Sequence, residues 1–171
     1  MQLPQPAPGF DQPVDMLLAC HARILRQCDT LMRLAEHLGT KGKTAEARTA
    51  AQQVYRYFST SGRYHHEDEE QGLFPALLAC RPELAVAISE LAHDHREMSH
   101  RWAQLEPSLL DIGSVFDTAA FSRDVLDFRT IYAAHIEREN TEILPIARQA
   151  LSAGQFEKLG QEMARRRGVN L

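Results

Sequence analysis

The sequence of 171 residues has no run of about 18 uncharged apolar residues, so no segment is suited to crossing a bilayer as a helix. It is poor in sulfur. Its cysteines are Cys20, Cys28 and Cys80, an odd and scattered set with no C-x-x-C pair, which reads as reduced thiols rather than a disulfide framework. Basic residues are not in excess: 19 Lys and Arg against 23 Asp and Glu leave a formal charge of −4, which argues against a nucleic-acid backbone as partner. No segment of five or more residues alternates with Val, Ile and Thr enrichment, so no sheet is predicted. The opening stretch MQLPQPAPGFDQP has neither a basic nor an apolar signal region, and the expected location is the cytoplasm. What remains is 44% hydrophobic and 25% charged, the balance of one ordinary globular domain.

Residues 1–13 hold four of the eight prolines and are expected to form an extended, poorly ordered lead-in to a domain spanning 14–171. From there the apolar residues fall at helical spacing. A first seam runs Val14, Leu17, His21, Ile24, Cys28, Leu31, Ala35, Leu38 and is ended by Gly39 and Gly42. A second starts near Thr44 and runs Val54, Phe58, Ser61, His65, Glu69, Gly72, with Pro75 expected to bend or interrupt it before Leu77–Cys80. Pro82 opens a third, Leu84, Ile88, Leu91, His95, Met98, Trp102, Leu105, which Pro107 should end. Asp117 suits the N-cap of a fourth, Phe121, Val125, Phe128, Tyr132, His135, Glu139, Glu142, Ile146, kinked by Pro145. Ser152 to Gln155 matches a capping box for a short fifth helix ending near Arg167 and Gly168. Four long helices of about 25 residues, roughly 37 Å each, joined by short loops predict an all-α, up-down-up-down four-helix bundle with a short C-terminal fifth helix.

The eight histidines carry the chemistry. Six lie between positions 65 and 135, and each long seam contains one: His21, His65, His95 and His135. A single buried imidazole has an ordinary explanation in a hydrogen bond to a carbonyl or water. Four in one narrow core are harder to satisfy separately, at about 1–3 kcal/mol for each left unpaired, and convergence on metal removes the difficulty. The acids sharpen this. Four histidines have Glu four residues on, His65–Glu69, His66–Glu70, His93–Glu97 and His135–Glu139, where about one such pair is expected by chance. Only His65–Glu69 and His135–Glu139 have the histidine on a seam; His66–Glu70 and His93–Glu97 read as solvated surface pairs. Imidazole with carboxylate favours iron or manganese, with zinc possible. Cys20 is off its seam and is not counted as a ligand.

An internal repeat supports this choice. His65-His-Glu-Asp-Glu69-Glu-Gln-Gly-Leu-Phe-Pro75 lies over His135-Ile-Glu-Arg-Glu139-Asn-Thr-Glu-Ile-Leu-Pro145, and Leu17…His21…Ile24 lies over Leu91…His95…Met98. Two related hairpins suggest two half-sites and a two-metal centre.

On these residues the sequence resembles the hemerythrin family, in its bacterial HHE cation-binding branch, over roughly 14–150. The resemblance implies a four-helix bundle around two non-haem iron ions bridged by carboxylates and by an oxo or hydroxo group. His21, His65, His95 and His135 would be terminal ligands, and Glu69 and Glu139 bridges. It also implies a small partner, oxygen, nitric oxide or peroxide, with neither nucleic acid nor membrane. Two departures stand out. Oxygen carriers resemble H-x-x-x-H on the third helix, where this chain has Ser99. They carry H-x-x-x-x-D on the fourth, where it has Glu139 at +4 and Asn140 at +5. One coordination position is left to water, Glu67, Glu70 or Glu142, or open, and oxygen or nitric oxide sensing, peroxide chemistry or iron handling stands beside oxygen carriage.

Two other classes compete with this reading. A ferritin-like di-iron oxidase wants E-x-x-H on two helices, whereas Glu90-x-x-His93 and Glu97-x-x-His100 share one. A metal-free helical interaction module is the other. Tyr132 and Trp102 read as core packing, and Phe58, Leu91, Met98 and Phe128 as an apolar lining that keeps water from the site. The Arg165-Arg166-Arg167 run reads as cations at a helix C-terminus.

Overall fold

The computed structural model describes residues 8–113 and 117–170. It is all-helical, with no strand among the described residues. Helix α1 spans Pro13–Thr40, with Pro13 in its first turn, where a missing N–H costs nothing. Gly42, at φ 76°, turns the chain in the left-handed region after it. The Thr44 side chain caps the next helix by accepting from Ala47 N at 3.3 Å, and it also meets His37 Nε2 across the turn at 2.9 Å.

Helix α2 (45–80) is helical throughout, with two π turns, Phe58–Gly62 and Glu69–Leu73, between the α segments Ala45–Tyr57, Arg63–Asp68 and Phe74–Cys80. A 3-10 turn, Pro82–Leu84, leads into α3 (Ala85–Leu110). Helix α4 (118–150) has the same design as α2: Thr118–Arg138, a π turn Glu139–Ile143, then Leu144–Ala150. Asp117 caps it by accepting from Ala119 N and Ala120 N. Helix α5 (Ala153–Arg166) opens with the capping box of Ser152 and Gln155.

The π turns change several expectations. Each adds one residue to a turn, so the face that points inward steps by one position. Ser61 and Glu142, expected on seams, are exposed, and the neighbouring Gly62 and Ile143 are buried instead. Pro75 and Pro145, expected to interrupt or kink their helices, each sit second in the α segment that follows a π turn. The wider turn relieves the clash between the proline ring and the carbonyl four residues back, and the helix continues. Pro107 likewise does not end α3. It lies inside the last turn, where Leu105 and Leu109 are buried and hold the segment in place. Of the expected lead-in, residues 1–7 lie outside the described residues, and the remainder is folded. Gln12 N donates to Gly9 O at 3.0 Å, and α1 starts at Pro13.

Helix α1 packs on α2 and α4, and α3 packs on the same two; α5 lies across α1 and the middle of α2. Two apolar clusters result. One gathers Ile24, Leu31, Val54, Phe58, Met98, Leu105, Phe128 and Tyr132; the other gathers Leu17, Leu73, Phe74, Leu77, Leu91, Ile143, Leu144 and Met163. No helix among the described residues is long and apolar enough to cross a membrane.

Candidate metal centre

Seven polar or charged side chains are buried among the described residues: His21, His65, Asp68, Glu69, His95, His135 and Glu139. Six of them are the six that the sequence singled out, contributed by all four long helices. They meet between the two apolar clusters. Glu69 and Glu139 each open a π turn, at matching positions of the repeat.

Glu69 Oε1 lies 3.5 Å from His21 Nε2 and 3.3 Å from His65 Nε2, while its Oε2 lies 3.4 Å from His95 Nε2. Glu139 Oε2 lies 3.1 Å from His21 Nε2 and 3.2 Å from His135 Nε2. Ligand-type atoms fall into two groups of four, each within 4.8 Å: His21, His65, Glu69 and Glu139, and Glu69, His95, His135 and Glu139. Both carboxylates belong to both groups. Cys20 is buried although expected off the seam, but it belongs to neither group. Nor do Glu67, Glu70 and Glu142, the acids suggested for a further position. Glu67 pairs with Arg63, and the exposed Glu142 with Arg138.

The residues fit a cation. All four oxygens of Glu69 and Glu139 are buried without a hydrogen-bond partner, and so is His21 Nε2. Leaving such groups unpaired costs about 1–3 kcal/mol each, and more when charged. A cation between them satisfies every one. Three of the four outward nitrogens are occupied, while His65 Nδ1 is buried without a partner. His21 Nδ1 donates to Asn140 Oδ1 at 2.6 Å, His95 Nδ1 to Glu70 Oε1 at 2.8 Å, and His135 Nδ1 to Asp94 Oδ2 at 3.3 Å. An N–H committed outward leaves the Nε2 lone pair facing inward, the tautomer that a metal requires. His95 Nε2 and His135 Nε2 are 3.0 Å apart, a contact that two lone pairs tolerate only with a proton or a cation at hand.

The electrostatics point the same way. Burial disfavours the charged form of His21, but Glu139 and Glu69 outweigh it and push the pKa up to about 10. His95 behaves alike: burial opposes the charge, and Glu69 and Glu70 still raise it to about 9. Burial holds His65 well below the ordinary value. Glu139 stays ionised against its burial because His135 and His21 hold its pKa well down. The centre is therefore short of positive charge, which protons supply when no metal does.

His66 and Glu70, expected as a solvated pair, do something else. Glu70 anchors His95, and the His66 ring stacks on the His95 ring at 4.1 Å and 11°. Phe74 stacks on His95 at 5.9 Å, so the imidazole is held between two rings. His66 Nε2 and Tyr132 Oη form a hydrogen bond of 3.3 Å. Beside them opens a cavity of about 590 Å³ whose wall includes His66, His95, Met98, Ser99, Trp102 and Tyr132. Tyr132 and Trp102 thus shape a cavity as well as the core. Phe58 also lines it, whereas Leu91 and Phe128 are fully buried away from it. The arginine run does more than sit at a helix end: Arg166 and Arg167 both reach Asp68.

Nothing in the sequence marks Asn140, Asp94 and Asp68 for these contacts. Each meets its histidine or arginine across helices, which no spacing along one helix reveals.

Comparison with known proteins agrees with this geometry. The family model described as the Hemerythrin HHE cation binding domain matches residues 12–147. An "Uncharacterized protein" of Haemophilus influenzae is 30% identical over 166 residues, which cover 97% of this chain and 96% of that protein.

Proposed function

Because this chain belongs to the hemerythrin HHE cation-binding family, we propose that it is a non-haem di-iron protein that binds or senses a small ligand: oxygen, nitric oxide or peroxide. The observation that carries the proposal is the sharing of Glu69 and Glu139 between two groups of buried ligand atoms. His21 and His65 would hold one iron, His95 and His135 the other, and the two carboxylates would bridge them. Two carboxylates contribute a charge of −2 against the +4 of a ferrous pair, with neutral imidazoles completing the set. In this reading the contacts among α1 to α4, with their short connections, form an up-down-up-down bundle, and α5 is an added fifth helix. A cytoplasmic setting suits the unpaired, buried Cys20 and Cys28.

Iron supplies a change of oxidation state and open positions for a small ligand. The chain supplies the rest. Asn140, Glu70 and Asp94 fix the rings of His21, His95 and His135. The apolar clusters on either side exclude water. The cavity gives a small molecule a path to the His95 side, where Ser99 leaves room: its hydroxyl donates back to His95 O at 2.8 Å and reaches no further. His66 and Tyr132 place hydrogen-bonding groups on that path.

Iron content of the purified protein tests the proposal. About two irons per chain are expected, falling toward none in His65→Ala and Glu139→Ala. Wild-type iron in both variants would overturn the ligand assignment. Added nitric oxide, azide or peroxide should change the optical spectrum of the iron-loaded protein; indifference to all three would overturn the small-ligand reading.

A further inference from the structure

The seventh buried polar side chain, Asp68, belongs to neither metal group. Its carboxylate is fully buried and held by two arginines of the chain's last turns: Arg166 Nη1 donates to Oδ1 at 2.8 Å, and Arg167 Nη2 donates to Oδ2 at 2.7 Å. Both lie beyond residue 147, where the family match ends. Arg166 also reaches Gln71 Oε1 at 3.5 Å, inside the π turn that Glu69 opens. The same turn is seated on α5 through Gly72, where a Cβ would come within 2.6 Å of Leu159 Cδ1. Asp68 immediately precedes Glu69, whose oxygens contact three of the four histidines.

The internal repeat shows that this is a property of one half only. The counterpart of Asp68 is Arg138, partly exposed on α4, which pairs with Glu90 of α3 and Glu142 of α4 rather than with α5. The neighbour of one carboxylate of the centre is thus held within the four long helices, that of the other by a separate element docked from outside.

We infer that the Asp68–Arg166–Arg167 clamp is a positioning device for Glu69: by locking α5 onto the Glu69–Leu73 π turn it aims that carboxylate and sets how firmly the centre holds iron. The inference rests on the di-iron reading above. Asp68 acts through its neighbour, since backbone that moves at 68 moves at 69. A buried carboxylate stripped of both cations would have to turn toward water, and would drag the turn with it.

The test is the rate at which a ferrous chelator removes iron from the reduced, loaded protein, together with the optical spectrum of the oxidised centre. Asp68→Asn and the double variant Arg166→Gln/Arg167→Gln are compared with wild type well below their melting temperatures. Each should release iron at least about tenfold faster and show a shifted spectrum, as for ligands that lose an outer support. Arg166→Lys/Arg167→Lys keeps both charges and one donor from each side chain, and should restore much of the wild-type rate. A fully buried core residue far from Asp68, Val125→Ala, supplies the control for stability alone. If it releases iron as fast as the glutamine pair at the same distance below melting, the clamp is only structural and the inference falls. It also falls if release and spectrum stay within twofold of wild type. If the glutamine pair does not fold, the single Arg166→Gln and Arg167→Gln variants carry the same comparison. A wild type that holds no iron overturns the di-iron reading and this inference together. A wild type that holds iron beside variants that hold it equally well overturns this inference alone.

Discussion

The second nitrogen of an imidazole sets how its ring is aimed. His21, His95 and His135 each commit Nδ1 to an oxygen on another helix, and that contact selects both the tautomer and the ring orientation. The shortest of these, from His21 to Asn140, makes a clean test. Asn140→Leu removes the acceptor, leaves the ligands in place, and should weaken iron binding by roughly tenfold to a hundredfold in competition with a chelator. Unchanged affinity would mean that the bundle alone orients His21. The four histidines were legible in the sequence because a polar residue on an apolar stripe stands out. Glu69 and Glu139 were legible because i, i+4 places them on the same face. Their supports were not. Asn140 lies 119 positions from His21 and Glu70 lies 25 from His95, and nothing local links them. His66 is hidden for a different reason: a spacing that looks like a surface pair is split between two roles, with Glu70 bonded to His95 and His66 stacked on its ring.

Among the elements, α2 and α4 are the pair to compare. Each carries His-x-x-x-Glu, then a π turn, then proline second in the next segment. A strict 3.6-residue period cannot register the extra residue, which is why Ser61 and Glu142 were placed on seams that Gly62 and Ile143 occupy. The same repeat exposed the two-half design, so the internal symmetry was readable while the step within it was not. The π turn in α4 is testable by deletion of Thr141, an exposed residue within it. Without the extra residue, Ile143 and Leu144 rotate by about 100° away from the cluster that buries them. Exposing two such side chains should cost several kcal/mol, about 2–5 kcal/mol for each. A denaturant midpoint close to wild type would show that the turn is not needed for register. Pro107 shows the converse limit: a helix-breaking residue near an end is overruled when the flanking residues are anchored in the core.

For the molecule as a whole, a layer of buried charge separates two apolar clusters, and its balance depends on what occupies the centre. In the metal-free protein the folded His21 pKa is raised by Glu139 and Glu69, in spite of burial, to about 10 from an ordinary 6.5. A raised pKa stabilises the fold fully below the unfolded value, and that stabilisation is lost as pH climbs through the folded one. The melting temperature of chelator-treated protein should therefore fall between pH 6.5 and about 10. The iron-loaded protein, neutralised by metal rather than by protons, should change less over that window. A metal-free curve that is flat there would contradict the charge balance described for the centre. Among the described residues, the all-helical fold and its five helices follow from apolar spacing and caps. The docking of α5 does not, because the partner of Arg166 and Arg167 is an aspartate nearly a hundred positions away. A last consequence concerns observation. The chain has one tryptophan, Trp102, and it stands in the wall of the cavity beside His95. Its fluorescence is thus a built-in indicator. A molecule that enters this space can be followed in solution through a single native emitter, with no label attached.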